Sequence, residues 1–160
     1  MQTPLNMLSQ SAVQLPYHLM TEMASAESMS EKTDDSMLKT AATPKVLVAD
    51  DSLTERTNLS RILQTAGYEV ITASSGNEAV ELVVRHQPVA VFLDIIMDDG
   101  DGYRACRQIK RDATTADIPI LMVSSKSNAV DQKWAEKLGA SGYIIKPYDD
   151  AVILQTLADI

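Results

Sequence analysis

The sequence predicts an α/β fold in which helices cover both faces of one parallel β-sheet. Short runs of large apolar residues alternate five times with longer segments whose apolar residues recur at helical spacing. Helix-long segments between successive strands require crossover connections, so the strands run parallel and the crossovers are right-handed. The clearest strand, residues 89–94, has no polar residue before its final Asp94, which is typical of a strand covered on both faces.

The predicted elements begin at residue 45 and alternate strictly. Strands are expected at 46–49, 69–73, 89–94, 118–123 and 143–145, and helices at 52–66, 75–86, 101–111, 128–138 and 149–159. Ser52 and Ser75 each precede a glutamate by three residues, which is the spacing of a capping box and indicates a helix start. Gly67 and Gly139 are expected to end helices.

Residues 1–44 differ in composition from the rest, because they combine Gln, Ser, Thr and Met with scattered acids and have no sustained apolar period. We expect a disordered N-terminal extension there and a single domain at 45–160. An alternative is that translation begins later, at Met29 or Met37. The chain ends one helix after the fifth strand, so no effector domain is expected to follow.

The charge and composition exclude several classes of protein. The formal net charge of -8 argues against nucleic acid as a partner, since sequence-independent binding needs clustered Lys and Arg. No stretch reaches the roughly 18 consecutive apolar residues of a membrane span, and the N-terminus lacks the apolar core of a signal peptide. Cys106 is the only cysteine, which excludes an intrachain disulfide and fits a reducing compartment. We therefore expect a cytoplasmic protein with neither DNA nor a membrane as a partner.

Polar side chains end four of the five predicted strands. The first strand runs into Asp50 and Asp51, the third into Asp94, the fourth into Ser124 and the fifth into Lys146. In a parallel sheet these ends lie at one edge, where ligands of open α/β sheets bind. Each residue also has an ordinary explanation, as a helix-start acid, a loop hydroxyl or a surface charge, but their coincidence at one edge favours a site.

The collected residues suit phosphoryl transfer. Three neighbouring carboxylates cannot all ionise cheaply without cations between them, and Lys146 supplies one positive charge. Mg²⁺ would supply the rest, since it prefers oxygen ligands, whereas zinc would favour Cys or His. Asp94 as a nucleophile would form an acyl phosphate, with Lys146 and the Ser124 hydroxyl on the phosphoryl oxygens.

Several motifs together resemble the receiver domains of the response-regulator family over residues 45–158. They are Ala49-Asp50-Asp51-Ser52, Leu93-Asp94-Ile95-Ile96-Met97, Asp101-Gly102, Met122-Val123-Ser124-Ser125 and Gly142-Tyr143-Ile144-Ile145-Lys146-Pro147. The resemblance implies a single flavodoxin-like (βα)5 domain, a doubly wound parallel sheet with strand order 2-1-3-4-5. It also implies a stand-alone switch protein, not an enzyme, that a histidine kinase or a phosphotransfer protein phosphorylates.

By this resemblance, Asp94 is the phosphoacceptor. Ser124 and Tyr143 would form the switch pair, with the hydroxyl moving toward the phosphate and the ring turning inward behind it. The implied Mg²⁺ ligands are the carboxylates of Asp50, Asp51 and Asp94, with Asp50 acting mainly through water, and the backbone carbonyl of Ile96.

The readout surface of the family corresponds to residues 127–159 of this chain. The last helix carries more apolar residues than one core contact needs, namely Val152, Ile153, Leu154 and Leu157. We expect an output protein, or a second copy of this chain in a homodimer, to bind there.

The loop after Asp94 departs from the family pattern. Asp98 stands where a proline is common, and Asp99-Gly100 replaces the usual apolar filler, so the loop is more acidic. Ile96, two residues after Asp94, offers no polar group to orient an attacking water. Slow self-hydrolysis of the phosphoryl group is therefore expected.

A narrower resemblance connects the chain with the regulators of type IV pilus (twitching) chemosensory systems. It rests on Asp51-Ser52-x-Thr54-Glu55, Ser125-Lys126, Asp131 with Trp134, and Gly139-Ala140 before Tyr143.

Two other functions stay open at this point. A small Mg²⁺-dependent phosphohydrolase with an aspartyl-phosphate intermediate would need a second aspartate two residues after the nucleophile, where this chain has Ile96. A nucleotide-binding protein would need a glycine-rich first loop, where this chain has Asp50-Asp51-Ser52.

Overall fold

The computed structural model describes residues 42–99 and 101–160, so the predicted disordered extension lies outside the described residues up to position 41. Residues Pro44–Ile160 form one structural unit. Its strands and helices alternate throughout: β1 Lys45–Ala49, α1 Leu53–Thr65, β2 Glu69–Ala73, α2 Gly76–His86, β3 Ala90–Asp94, α3 Gly102–Arg111, β4 Ile120–Ser124, α4 Ala129–Lys137, β5 Gly142–Ile145 and α5 Asp150–Ala158.

The strands form a five-stranded parallel sheet in the order β2-β1-β3-β4-β5. This confirms the predicted flavodoxin-like fold and its strand order. In the register, Ala49 of β1 pairs with Leu93 of β3, and Asp94 pairs with Val123 of β4. The carboxyl ends of these three central strands therefore lie level with one another at one edge of the sheet.

Alternate strand residues point to opposite faces and form two apolar cores. On one face, α1 and α5 pack over a core that includes Val46, Val48 and Phe92. On the other face, residues of α2, α3 and α4 pack over a core that includes Leu47 and Leu93. Every residue of β3 is buried, which explains why its sequence lacks polar alternation.

Two helix starts follow the predicted signals but differ in detail. The Ser52 and Ser75 hydroxyls accept hydrogen bonds from backbone N–H groups three residues further on, at 3.3 and 3.1 Å. In neither case does the glutamate carboxylate accept a hydrogen bond from the N–H of the capping serine, as it would in a complete capping box. The N–H of Ser52 donates to the Asp50 carboxylate at 2.9 Å, and the Glu78 carboxylate accepts from the N–H of Ser74 at 2.7 Å. In α1 this exchange ties the helix start to the strand end.

The fourth strand starts two residues later than predicted, at Ile120. The carbonyl of Ile118 accepts a hydrogen bond from the Lys110 ammonium at 2.7 Å, so a side chain satisfies it instead of a neighbouring strand. Pro119 has no N–H to donate to a ladder. None of the described helices is long and apolar enough to cross a membrane.

Candidate functional site

Three carboxylates meet at the carboxyl edge of the sheet. Asp50 directly follows β1, Asp94 ends β3, and each of Asp50, Asp51 and Asp94 offers an oxygen within 4.8 Å of the others. Asp50 and Asp94 are only 6% and 8% exposed, whereas Asp51 is exposed. The three predicted acids are therefore brought together, and the cluster opens to solvent through Asp51.

Lys146 follows β5 and reaches into the same cluster. Its ammonium nitrogen lies 2.9 Å from Asp50 Oδ2 and 3.7 Å from Asp94 Oδ2. The backbone places it there, because the N–H of Lys146 donates to the Ser124 carbonyl at 2.8 Å and so continues the pairing of β4 with β5. The predicted amine therefore converges with the predicted carboxylates.

Burial and the nearby Asp50 charge raise the pKa of Asp94 to about 6, although Lys146 and the backbone N–H groups of Ile95 and Ile96 oppose the rise. Burial acts to lower the pKa of Lys146, but its hydrogen bond to Asp50 and the surrounding carboxylates outweigh it and raise that pKa. Lys146 is therefore firmly cationic. Asp94 ionises at a free-energy cost that a further cation would relieve.

Two residues of α1 complete the surroundings of Asp50 and were not predicted as site residues. The Arg56 guanidinium donates to the backbone carbonyl of Asp50 at 2.7 Å. The Glu55 carboxylate lies 3.7 Å from the Lys146 ammonium, although its sequence signal was that of a helix-start acid. The sequence could have indicated both residues, because positions 55 and 56 lie about one helical turn after Ser52. Their side chains therefore lie on the side of the helix that faces the carboxyl end of β1.

The two predicted switch residues, Ser124 and Tyr143, both form hydrogen bonds with the backbone of Lys126. Ser124 is buried at the end of β4, and its Oγ accepts a hydrogen bond from the N–H of Lys126 at 3.1 Å. Tyr143 is half-buried on β5, and its hydroxyl donates to the carbonyl of Lys126 at 2.8 Å. Both side chains therefore restrain the segment that leads from β4 into α4.

A second tyrosine links α3 to α4. The Tyr103 hydroxyl donates to an Asp131 carboxylate oxygen at 2.8 Å. Its ring packs edge-to-face with Trp134, with the centroids 6.5 Å apart and the planes at 82°. Trp134 nevertheless remains 43% exposed.

The loop between β3 and α3 is held at its base and at its tip. The N–H of Gly102 donates to the Ile95 carbonyl at 2.8 Å. A Cβ at Gly102 would lie 2.1 Å from the carbonyl oxygen of Asp94, so only glycine permits this close approach of α3 to the strand end. At the tip, the Asn77 side-chain amide donates to the Asp99 carboxylate at 3.0 Å, a contact that the sequence did not reveal.

The acidic cluster fits a Mg²⁺ ion. Its three side chains offer oxygen ligands only, which are the ligands that this ion prefers. Ligands of one octahedral Mg²⁺ lie about 3 to 4 Å apart, so oxygens within 4.8 Å of one another need only a small movement to bind the same ion. A bound cation would also offset the like charges that raise the pKa of Asp94.

Comparison with known proteins agrees with this geometry. The family model of the response regulator receiver domain matches residues 46–158. The chain is 35% identical over 113 residues to Protein PilH of Pseudomonas aeruginosa, a match that covers 71% of this chain and 93% of PilH. It is 34% identical over 110 residues to Protein PilG of the same organism, which covers 69% of this chain and 82% of PilG.

A solved structure shows the same architecture. The chemotaxis protein CheY4 of Vibrio cholerae superposes with a TM-score of 0.71 at 30% sequence identity, over 74% of this chain and 99% of CheY4. Receiver domains are phosphoacceptor switches that bind Mg²⁺ at an acidic pocket and interact with histidine kinases or phosphotransfer proteins. The alternative of a small phosphohydrolase finds no support in these matches. The chain therefore belongs to the receiver domain family of the response regulators of two-component signalling.

Proposed function

We propose that Asp94 accepts a phosphoryl group and that its phosphorylation changes the surface formed by α4, β5 and α5. The observation that carries this proposal is the environment of Asp94 itself. It is a buried carboxylate with a raised pKa, 3.7 Å from the Lys146 ammonium and clustered with two further carboxylates. A carboxylate in this environment is stabilised by a cation that binds beside it. Phosphorylation would change the charge at the centre of the site, where the surrounding charged groups respond to it most strongly.

The proposed reaction is an in-line transfer from a phosphohistidine of the partner. An ionised oxygen of Asp94 bonds to phosphorus while the phosphorus–nitrogen bond breaks and the histidine ring leaves with the electron pair. Lys146 and the Ser124 hydroxyl would bind the phosphoryl oxygens. When bound by Asp50, Asp51 and Asp94 and by the Ile96 carbonyl, with Asp50 mainly through water, Mg²⁺ would supply positive charge to those oxygens.

The proposed switch acts through Lys126. A phosphoryl group on Asp94 would attract the Ser124 hydroxyl, which now accepts a hydrogen bond from the N–H of Lys126. Tyr143 would then leave the Lys126 carbonyl, to which it now donates, and turn inward. A few charge-assisted hydrogen bonds are enough to change the populations of two such states.

The face at 127–159 is the proposed site of an output protein or of a second copy in a homodimer. Large apolar side chains are exposed on it, namely Val130, Trp134, Ile145, Val152 and Leu154. We propose a histidine kinase or a phosphotransfer protein as the phosphoryl donor and a cytoplasmic location, with neither DNA nor membrane as a partner. The similarity to PilH and PilG supports a role in a chemosensory pathway that controls type IV pili.

The test is phosphorylation of the purified chain by acetyl phosphate or by a phosphorylated histidine kinase. We expect incorporation that requires Mg²⁺ and is lost in Asp94→Asn. Asp98→Asn is the matched control, because it removes an exposed carboxylate from the same loop and should be phosphorylated like the wild type. Equal labelling of Asp94→Asn and the wild type would refute the proposal, and mass spectrometry of proteolytic peptides would locate the modified residue.

A further inference from the structure

The loop between β3 and α3 is fastened to the start of α2 by one residue. The Asn77 side-chain amide donates to Asp99 Oδ1 at 3.0 Å, and the backbone N–H of Asn77 lies 3.4 Å from the Asp99 carbonyl oxygen to which it donates. The two residues are 22 positions apart in sequence and belong to different structural elements. The contact therefore joins the tip of the loop to a rigid helix.

The fastened loop is the one that leads directly away from the proposed phosphoacceptor. It starts after Asp94 and closes at its base, where the N–H of Gly102 donates to the Ile95 carbonyl. Met97 is buried in the core on the α2, α3 and α4 side of the sheet. Asp98, Asp99 and Asp101 are exposed, and the Asn77 side chain binds Asp99.

The acidic residues of this loop make its conformation costly to hold, so a hydrogen bond from a helix has an effect there. Asp98 and Asp99 are exposed and are held by few contacts, so ordering this part of the loop costs conformational entropy. Asp99 also carries negative charge only five residues after Asp94, and repulsion between like charges favours movement of the loop away from the acidic cluster. A hydrogen bond from a helix to Asp99 opposes both effects.

We propose that Asn77 is a positioning residue for the magnesium site, acting through Asp99 to hold the loop that carries the Ile96 carbonyl. This inference rests on the proposed function, because the Ile96 carbonyl is a proposed ligand. Among the described residues, Asn77 makes no hydrogen bond to Asp50, Asp51 or Asp94, so it would act on the site only through Asp99. Its effect is to keep the loop with the Ile96 carbonyl in its binding conformation. The conformational entropy lost by the loop when the ion binds is therefore smaller.

The test compares the Mg²⁺ dissociation constants of variants by isothermal titration calorimetry, without any phosphoryl donor. Asn77→Ala and Asp99→Ala should each bind Mg²⁺ about three- to tenfold more weakly than the wild type, less than residues that hydrogen-bond a metal ligand directly, because the contact acts through the loop. Asp99→Asn keeps the acceptor oxygen and should recover most of the affinity, which separates positioning from the loss of a charge. The double variant Asn77→Ala/Asp99→Ala should be no weaker than Asp99→Ala, since both changes remove one contact.

Gln155→Ala is the matched control. It removes a similar exposed hydrogen bond, from the Gln155 amide to the Asp159 carboxylate at 2.9 Å in α5, and should leave Mg²⁺ binding unchanged. Wild-type affinity in both Asn77→Ala and Asp99→Ala would overturn the inference while leaving the proposed function intact. A wild type that neither binds Mg²⁺ nor accepts phosphate would instead overturn the proposed function and the inference with it.

Discussion

The ammonium group of Lys146 makes its short ion pair with Asp50, at 2.9 Å, and not with the proposed phosphoacceptor. Asp94 lies 3.7 Å from the same nitrogen and is left with a raised pKa. The single positive charge is therefore shared unequally between two buried carboxylates. A cation that binds at the site would therefore meet an Asp94 carboxylate whose negative charge Lys146 neutralises only in part.

Replacing Lys146 with methionine should make the site bind Mg²⁺ more tightly. The substitution removes a positive charge from beside the carboxylates, so their attraction for a cation increases, and we expect an affinity about three- to tenfold higher at low ionic strength. Phosphorylation by acetyl phosphate should become slower, because Lys146 is the proposed partner of the phosphoryl oxygens. Calorimetry and a labelling time course measure the two effects.

Lys126→Met is the control for this substitution, since it makes the same charge change at an exposed position. Its Mg²⁺ affinity should change much less than that of Lys146→Met. Weaker Mg²⁺ binding by Lys146→Met would contradict the electrostatic explanation of the site.

Stability in Mg²⁺-free buffer should depend on the ionisation of Asp94. Its pKa is about 6 in the folded protein, and about 3.9 is usual in an unfolded chain. The folded state holds this proton more tightly, so the stability contributed by Asp94 is complete below about pH 3.9 and is lost as the pH rises through about 6. Asp94→Asn should therefore raise the free energy of unfolding at neutral pH by about 1 to 3 kcal/mol.

Urea unfolding of wild type and Asp94→Asn in the presence of a chelator measures this difference. It should shrink as the pH falls from about 6 to about 3.9, where the folded carboxyl becomes protonated first, and it should also shrink when Mg²⁺ is added. A difference that is independent of pH would mean that packing, and not ionisation, causes it.

Ile96 should make the phosphoryl group long-lived. Its side chain is 56% exposed, two residues after Asp94, and has no polar atom to orient a water molecule. Ile96→Asn supplies such a group and should speed the loss of phosphate by about tenfold, less than a general acid or base contributes, because the amide only orients the water. Ile96→Leu is the control and should keep the wild-type rate. Loss of label from the wild type within seconds would contradict the expectation.

Gly102→Ala should disturb both the fold and the site. A Cβ at residue 102 would lie 2.1 Å from the Asp94 carbonyl oxygen and 2.7 Å from Ile95 Cα, and backbone atoms cannot yield as a flexible side chain can. We expect a loss of at least about 3 kcal/mol in the free energy of unfolding. Gly142→Ala is the comparison, because its new Cβ meets a side-chain methyl group of Leu121 at 2.8 Å, which can shift more easily than backbone atoms. Equal losses in the two variants would argue against the clash.

Local sequence patterns were enough to predict much of the fold. The alternation of apolar runs and amphipathic segments predicted all ten elements of the described domain, because each strand and helix is encoded by its own periodicity and capping residues. The main boundary difference, at β4, arises where the Lys110 side chain satisfies the Ile118 carbonyl. No local pattern in the strand itself reports a hydrogen bond from a side chain eight residues away.

Contacts between separate elements were harder to predict. Glu55 was not predicted as a site residue and Arg56 was not singled out, yet the Glu55 carboxylate lies 3.7 Å from the Lys146 ammonium and the Arg56 guanidinium donates to the Asp50 carbonyl. The contacts of Asn77 with Asp99 and of Tyr103 with Asp131 join elements that are distant in sequence. Such contacts depend on how helices sit on the twisted sheet, and strand and helix periodicity does not specify this.

By itself, the order of residues along this chain determined which groups stand at the strand ends, since parallel strands bring all those ends to one edge. Tertiary structure alone decided how the charges are shared there: Lys146 pairs closely with Asp50, Asp94 is buried with a pKa of about 6, and the following loop is tied to Asn77. The reason is that electrostatic energies change over a few ångströms and with burial, whereas sequence periodicity specifies only which edge or face a residue occupies.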